Sequence, residues 1–327
     1  MQTASAGNDL RFCLDRQFIS AEQCTEVWKH LGCDYQWIQI SPGAMQGRIR
    51  VECQKDMILA SIQADQALLV QGTRNPDWVP FTIEHSDNIA EHRHFGEALS
   101  PRTLGGFNTR LNESLVRTSP GGSQIGVALL HRRRIDAMTD LDPCGRLQDQ
   151  LDGSNSAILS EEAHDGLKQL MALPAWKGDD APGSFQDDLL EAQLFDALFS
   201  ESDSCLRPAM QTHRSDLVRE IVEYSFSNSQ APMTLQQVCR ALFTTKTTLT
   251  VSCREMFGFG PMLLLKRVRL QQVHHVLSNP DLQRQLGCRT IHAVSSHFGF
   301  YSRNHFSRDY RALFGESPRD TLQHSAA

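Results

Sequence analysis

The residues best equipped for chemistry lie in GFYSRNHFSRDYRALFGESP, Gly299 to Pro318, which holds five Phe or Tyr rings and three arginines. On a helix of about 100° per residue, Phe306, Tyr310 and Leu313 share one side, as apolar residues at i, i+4 and i+7 should. Asn304, Ser307, Arg308 and Arg311 fall opposite, Arg303 flanks the first turn, and Ser302 stands at the N-cap. Guanidinium forks bind phosphate or a guanine edge through two contacts, and amides and hydroxyls suit base edges. A charged outer face on a lone helix is most often only solvated, so its surroundings decide. Just upstream, TIHAVSSHFGF reads as a short helix ending at Gly299, where a tight turn needs positive φ. Helix, glycine turn and basic helix form the pattern that lays its second helix in a major groove.

The arrangement occurs twice. MTLQQVCRALF is a helix capped by Thr234, with Leu235 and Val238 inward. TTKTTLTVSCREMFG follows, capped by Thr245. It turns Leu249, Cys253 and Met256 to a core, with Thr247, Thr250, Val251 and Arg254 on the other side and Lys246 at the flank. PMLLLKRVRLQQVHHVL, from Pro261 as first-turn proline to Leu277, joins the two units. The DNA-binding candidates are therefore Lys246, Thr247, Thr250 and Arg254 in the first unit, and Arg303, Asn304, Ser307, Arg308 and Arg311 in the second. Base-edge contacts are expected mainly from Arg303, Asn304 and Ser307, with Arg308 and Arg311 as phosphate clamps.

Length and charge set these helices in context. The chain has 327 residues, enough for two domains and a sizeable core. Its net charge of −6 hides a split. Between Arg214 and Gln323 stand 14 Lys and Arg against 8 Asp and Glu, a balance of +6; elsewhere 18 stand against 30, a balance of −12. An acidic body with a basic final third predicts a polyanion-binding module on a larger domain. No run nears the ~18 apolar residues of a membrane span. MQTASAGNDLRFCLDRQF has no apolar segment behind a basic start, so no signal peptide is expected. The nine cysteines include no CxxC pair and fit a reduced, cytosolic setting as small buried hydrophobes.

From about Tyr35 to His131 the chain reads as short strands. RIRVECQ alternates, with Ile49, Val51 and Cys53 on one face and Arg48, Arg50, Glu52 and Gln54 on the other. MILASI, ALLVQG, VPFTIE and QIGVALLH continue the series, with SPGAMQG, GTRNPD and SPGGSQ as turns. Such a series predicts a sandwich or small barrel. RIDAMTDLD and SEEAHDGLKQLMAL, the second opening on Ser160, are helical. The polar, acidic segment 174–188 is a linker candidate. LLEAQLFDALFSE after it is an amphipathic helix that packs on the first domain or on a partner. The expected domains are 1–173 for sensing or dimerisation, 174–212 as linker with a short helix, and 213–323 for DNA binding.

Two helix-turn-helix units joined by one long helix resemble the DNA-binding domain of the AraC/XylS family of transcription regulators. The residues carrying the resemblance are Leu249, FGFGP at 257–261, Arg269 and Leu270, and the ending from Gly299. In that ending Gly299, Phe300, Ser302, Phe306, Arg308, Tyr310, Arg311, Gly315 and Pro318 fill a long family signature, with Tyr310 in place of its second Phe. The resemblance covers about a third of the chain. DYRALFGESPRDTL and the stretched connection SNPDLQRQLGCRT look most like the ethanolamine-operon-regulator branch. CDYQWIQISPGAMQGRI is similar to the opening strands of the cupin-like sensor domains found there.

The resemblance implies an α+β fold: an N-terminal cupin-like β-barrel or sandwich sensor domain, then an all-α domain with two helix-turn-helix units. It implies a cytoplasmic, nucleoid-associated regulator, with activation as the expected direction. Promoter DNA and RNA polymerase are the implied partners, with no cofactor and no membrane. The first domain would take a small-molecule effector or serve as a homodimer surface. Phe243 stands where the family has Gly, and a bulky residue at positive φ is costly, so that turn is expected to be built differently. Cys253 replaces the family's Phe and Cys239 its Ala, which makes the first unit the less regular one.

Other features are weaker. IEHSDNIAEHRHFGE gathers His85, His92 and His94 among acids, and His-x-His on a strand suits a metal. The spacing to Glu97 does not match a metal-cupin motif, so a solvated polar loop is expected. HRRRI at 131–135 reads as a basic strand or helix end. His274 and His275 lie on the connecting helix, one facing the groove between units and one solvent. The alternative class is an enzyme, a metal-dependent cupin or an alkyl-transfer protein fused to a DNA-binding domain. The scattered cysteines suggest no zinc cluster, and no P-loop, GxGxxG or GxSxG occurs, so no catalytic residue is expected.

Overall fold

The structure, a computed structural model, describes residues 12–172, 187–199, 205–208, 213–228 and 230–324; most of the expected linker, 174–186, lies outside them. The first part runs β1 (Phe12–Phe18), α1 (Ala21–His30), β2 (Asp34–Gln39), β3 (Gly47–Cys53), β4 (Met57–Ala64), β5 (Leu68–Thr73) and β6 (Trp78–Glu84). It continues with β7 (Arg93–His94), β8 (Glu97–Ala98), β9 (Thr103–Gly105), β10 (Glu113–Arg117), β11 (Ser123–His131), α2 (Arg132–Asp140) and α3 (Arg146–Gly153). β12 (Ser154–Ile158), α4 (Glu161–Leu170), α5 (Asp187–Phe199) and β13 (Cys205–Pro208) complete it. Every pairing is antiparallel. One sheet has the order β1-β3-β4-β11-β6-β9-β12-β13 and the other β2-β5-β10-β7-β8.

The cupin-like barrel expected from the sequence does not form. Among the described residues, one sheet ends on β1 and β13 and the other on β2 and β8, and no edge pairs with another. Groups at the β2 edge are already bonded to the helical part of the chain. Gln39 N donates to Gln271 Oε1 at 3.2 Å, and Arg267 donates to the Ile40 carbonyl just beyond β2. A strand cannot pair where these groups are taken. The result is two open sheets packed face to face.

The eight-stranded sheet is buried on both sides. Met57, Leu59, Ala128 and Leu130 join a core with helices α2 to α5, while Ile58, Ala60, Ile62, Val127 and Leu129 meet the second sheet. Such strands lose polar alternation, which is why MILASI and QIGVALLH are continuous apolar runs. The second sheet is also covered twice. Tyr35, Trp37, Leu68 and Val70 face the first sheet, and Ile38, Leu69 and Leu115 join a core with the helical domain. α5 sets Leu190, Leu194 and Leu198 into the core beneath the first sheet, and β13 extends that sheet through β12. Each arginine of HRRRI is engaged at the start of α2: Arg132 with the Pro76 and Thr109 carbonyls, Arg133 with Asp56, Arg134 with Glu191.

The rest is helical: α6 (His213–Ser227), α7 (Leu235–Ala241), α8 (Lys246–Phe257), α9 (Pro261–Leu277), α10 (Pro280–Gln285), α11 (Ile291–His297), α12 (Arg303–Phe314) and α13 (Pro318–His324). The first half of α9 packs with α6 to α8, and its second half with α10 to α12.

Candidate nucleic-acid interface

Each unit is held by local chemistry that the sequence supplies. Thr234 accepts from Gln237 N, and the Gln237 side chain returns the bond, a capping box that starts α7. Thr245 caps α8 through Thr248 N, and Thr290 caps α11 through Ala293 N. Gly258 and Gly315 end α8 and α12 in the left-handed region. Ser302 occupies the N-cap of α12 with extended backbone, but its hydroxyl makes no cap bond.

The two turns are built alike. Gly299 N bonds Ser296 O and Phe300 N bonds Ser295 O; Phe243 N bonds Arg240 O and Thr244 N bonds Cys239 O. Gly299 has φ of 75° and Phe243 of 48°. The different construction expected for the first turn is therefore absent, and Phe243 accepts the left-handed strain. Its side chain is 98% exposed, so little contact compensates. Phe243→Gly is expected to raise stability by about 1 kcal/mol, read as a higher urea midpoint at unchanged slope. A loss of stability would show that the ring is engaged.

Phe306, Tyr310 and Leu313 are buried, and so are Leu249, Cys253 and Met256. Burial pushes the Cys253 thiol up to about 12, so it packs as an inert small hydrophobe. Along α12 the rings follow one another, Phe306 to Tyr310 at 5.6 Å and Tyr310 to Phe314 at 4.7 Å between centroids. The tyrosine that replaces the family's second Phe shares a 2.9 Å hydrogen bond with Thr321 on α13, so its hydroxyl is satisfied in the core.

The opposite faces are open. Lys246, Thr247 and Arg254 are exposed and Thr250 is half-buried on α8. Arg303, Asn304, Ser307, Arg308 and Arg311 are all exposed on α12. Among the described residues Lys246, Arg254, Arg303 and Arg311 form no ion pair; Arg308 lies 3.8 Å from Asp309. Sequence reasoning missed the braces behind this face. Lys266 on α9 meets Asp309 on α12 at 3.1 Å, and Arg269 lies 5.2 Å from the centroid of the Phe300 ring.

It also missed the contacts that join the helical domain to the sheets. The Leu313 carbonyl, in the last turn of α12, accepts from Gln39 Nε2 at 2.8 Å and Gly43 N at 3.0 Å. Arg219 on α6 pairs with Glu113 on β10 at 3.0 Å. His274, placed by its sequence only in a groove, is buried between Glu22 on α1 at 3.4 Å and Glu316 at 3.6 Å, its ring against Tyr310 and Phe314. No local sequence signal announces pairs this far apart.

The three histidines do not converge on one metal site. His92 lies 3.4 Å from Glu84, both buried; burial holds His92 at about 4 and pushes the Glu84 carboxyl up. His94 lines a cavity between the sheets. Among the described residues no group of three or more His, Cys, Asp or Glu could hold a metal ion. None of the described helices is long and apolar enough to cross a membrane.

The family described as a helix-turn-helix domain matches residues 238–324. A probable thc operon regulatory protein of Rhodococcus erythropolis is 28% identical over 107 residues, covering 33% of this chain and 31% of that protein. The XylDLEGF operon transcriptional activator 2 of Pseudomonas putida is 28% identical over 102 residues, covering 31% of this chain and 62% of its own length. The chain is a distant relative of AraC/XylS-family transcriptional regulators. A crystal structure of a probable AraC family transcriptional regulator from Rhodopseudomonas palustris is 33% identical, covers 34% of this chain and 97% of its own, and has a TM-score of 0.30. The chain spans less than two thirds of either curated protein. Those relatives are named as regulators and not as enzymes.

Proposed function

We propose that the chain is a sequence-specific, DNA-binding transcription activator whose first part senses a small effector. The observation that carries this is the paired exposure of α8 and α12, each presenting unpaired basic side chains over a core-facing stripe. The two helices would enter successive major grooves, roughly 34 Å apart along the duplex. Lys246, Thr247, Thr250 and Arg254 contact DNA from the first unit. Arg303, Asn304 and Ser307 read base edges from the second, and Arg308 and Arg311 clamp phosphates. Activation follows the Pseudomonas relative's name, and RNA polymerase is the partner that an activator implies. The ethanolamine-operon-regulator branch is favoured by the long connection holding α10 and by the ending from Asp309.

Selection of duplexes from a random library by the full chain tests the reading, and failure to enrich any sequence would overturn it. On the selected site, Arg303→Ala is expected to cost about 1–3 kcal/mol and relax preference at one position. Arg308→Ala should weaken all sequences alike and lower the salt slope by about one. Uniform loss from Arg303→Ala would remove its base-reading role.

A further inference from the structure

We infer that the cavity between the two sheets binds a small organic acid, with its carboxylate held at Arg74 and its apolar body among Trp28, Trp37 and the side chains of the first sheet. The inference rests on the reading of the first part as the sensing part and adds the chemistry of what it senses.

Arg74 follows directly on β5 and is 8% exposed. Nε donates to Ser114 Oγ at 3.0 Å, and Nη1 donates to the Gly106 and Asn108 carbonyls at 2.7 and 3.3 Å. Among the described residues it has no carboxylate partner, and Nη2 makes no hydrogen bond. Burial lowers its pKa, yet a guanidinium stays protonated in proteins. A buried cation is ordinarily paired, because taking an unbalanced charge out of water is costly.

The rest of the cavity repeats this excess of donors. None of the lining residues is acidic. Trp28 and Trp37 line it, and both indole N–H groups are buried without an acceptor. A buried donor left unbonded is itself costly. His94, also on the lining, is pushed down to about 4 by burial and by Arg74, so it stays neutral and can still donate from one ring nitrogen. One positive charge and several free donors ask for an anion with more than one oxygen.

The walls say which anion. Apart from these groups and the polar Tyr35, Thr82, Ser114 and Asn155, the cavity is lined by apolar residues such as Ile62, Val70, Val127 and Leu129. Inorganic phosphate would leave strongly hydrated oxygens against hydrocarbon. A carboxylate on an aryl or alkyl body places its charge at Arg74 and its carbon against the walls. The cavity is small, about 80 Å³, so the acid it takes has a short body.

One lining residue reaches the DNA-binding part. Phe95, in the turn between β7 and β8, has φ of 49° and is buried in the core that also holds Leu249 and Met256 of α8. A ligand that moves this ring acts directly beneath the first recognition helix.

The test uses the full chain without DNA. Benzoate and butyrate are titrated by calorimetry, each beside its uncharged alcohol. The expected result is saturable binding of at least one acid, at least tenfold tighter than its alcohol. Arg74→Met should abolish that preference and Arg74→Lys should keep part of it. Equal binding of acid and alcohol, survival of the acid preference in Arg74→Met, or no saturable binding of either acid at millimolar concentration would overturn the proposal. The wild-type comparison decides by itself should Arg74→Met not fold. Sequence selection by the unliganded chain is read separately, so failure there leaves this result untouched.

Discussion

Replacing His274 by alanine is expected to cost about 3 kcal/mol of folding stability at pH 6.5, the usual penalty for stripping one partner from a buried ion pair. Glu22 is the group left stranded: both its oxygens are buried with no other hydrogen bond. Burial alone would push His274 down, but the Glu22 and Glu316 carboxylates override it and hold the imidazole at about 9. Its folded pKa thus lies above the unfolded value of 6.5, so this stabilisation is complete below pH 6.5 and is lost as pH rises through about 9. Burial would raise Glu22, but His274 and His275 hold it low, so its share is present above the ordinary 4.5 and lost only in acid. His324 beside Glu316, Tyr310 against the His274 ring and Cys24 near Glu22 are further titratable neighbours at this junction. Urea midpoints of the wild type should fall between pH 6.5 and 9.5, while those of His274→Gln stay nearly level. Parallel curves would remove His274 from the junction's pH response.

Gly315→Ala is expected to destabilise by roughly 2–4 kcal/mol, combining left-handed backbone strain with overpacking. Gly315 has φ of 73°, and a Cβ there would lie 2.5 Å from Ala44 N and 2.8 Å from Ala44 Cβ. Gly258 is the internal control. It ends α8 with φ of 78°, but a Cβ there would have nothing within 4 Å, so Gly258→Ala should cost only about 1 kcal/mol. Chemical denaturation of both variants tests the difference. Equal losses would mean that Ala44 yields freely and that the contact does not hold α12 against the sheets.

What the sequence revealed tracks how local the determining forces are. The core stripe of α12, the caps at Thr234 and Thr245 and the turn at Gly299 are decided within a few residues, and each was legible. Ile49, Val51 and Cys53 are buried as their alternation predicted, but Glu52 is buried too, because the first sheet is covered on both faces. β1, α1 and β12 passed unnoticed, since short elements carry little periodic signal. Whether the strands closed was beyond local reading. The end of the β2 edge, for one, is taken by Gln271 and Arg267, more than 220 positions downstream. The open face of α12 was likewise legible, whereas its attachment through the Leu313 carbonyl was not, because a backbone acceptor has no sequence signature.

The second sheet's double burial bears on how such a protein can change over generations. Along β5, Val70 borders the cavity while its neighbour Leu69 lies in the core with α8. A substitution that reshapes the cavity from this side disturbs the seat of a recognition helix at once, so selection on ligand and on DNA would be tied together. The opposite wall is free of that bond. Ile62, Val127 and Leu129 belong to a sheet backed by α2 to α5, away from both helix-turn-helix units. Drift in the ligand proposed for the cavity should therefore accumulate on the first sheet, leaving the proposed DNA contacts intact.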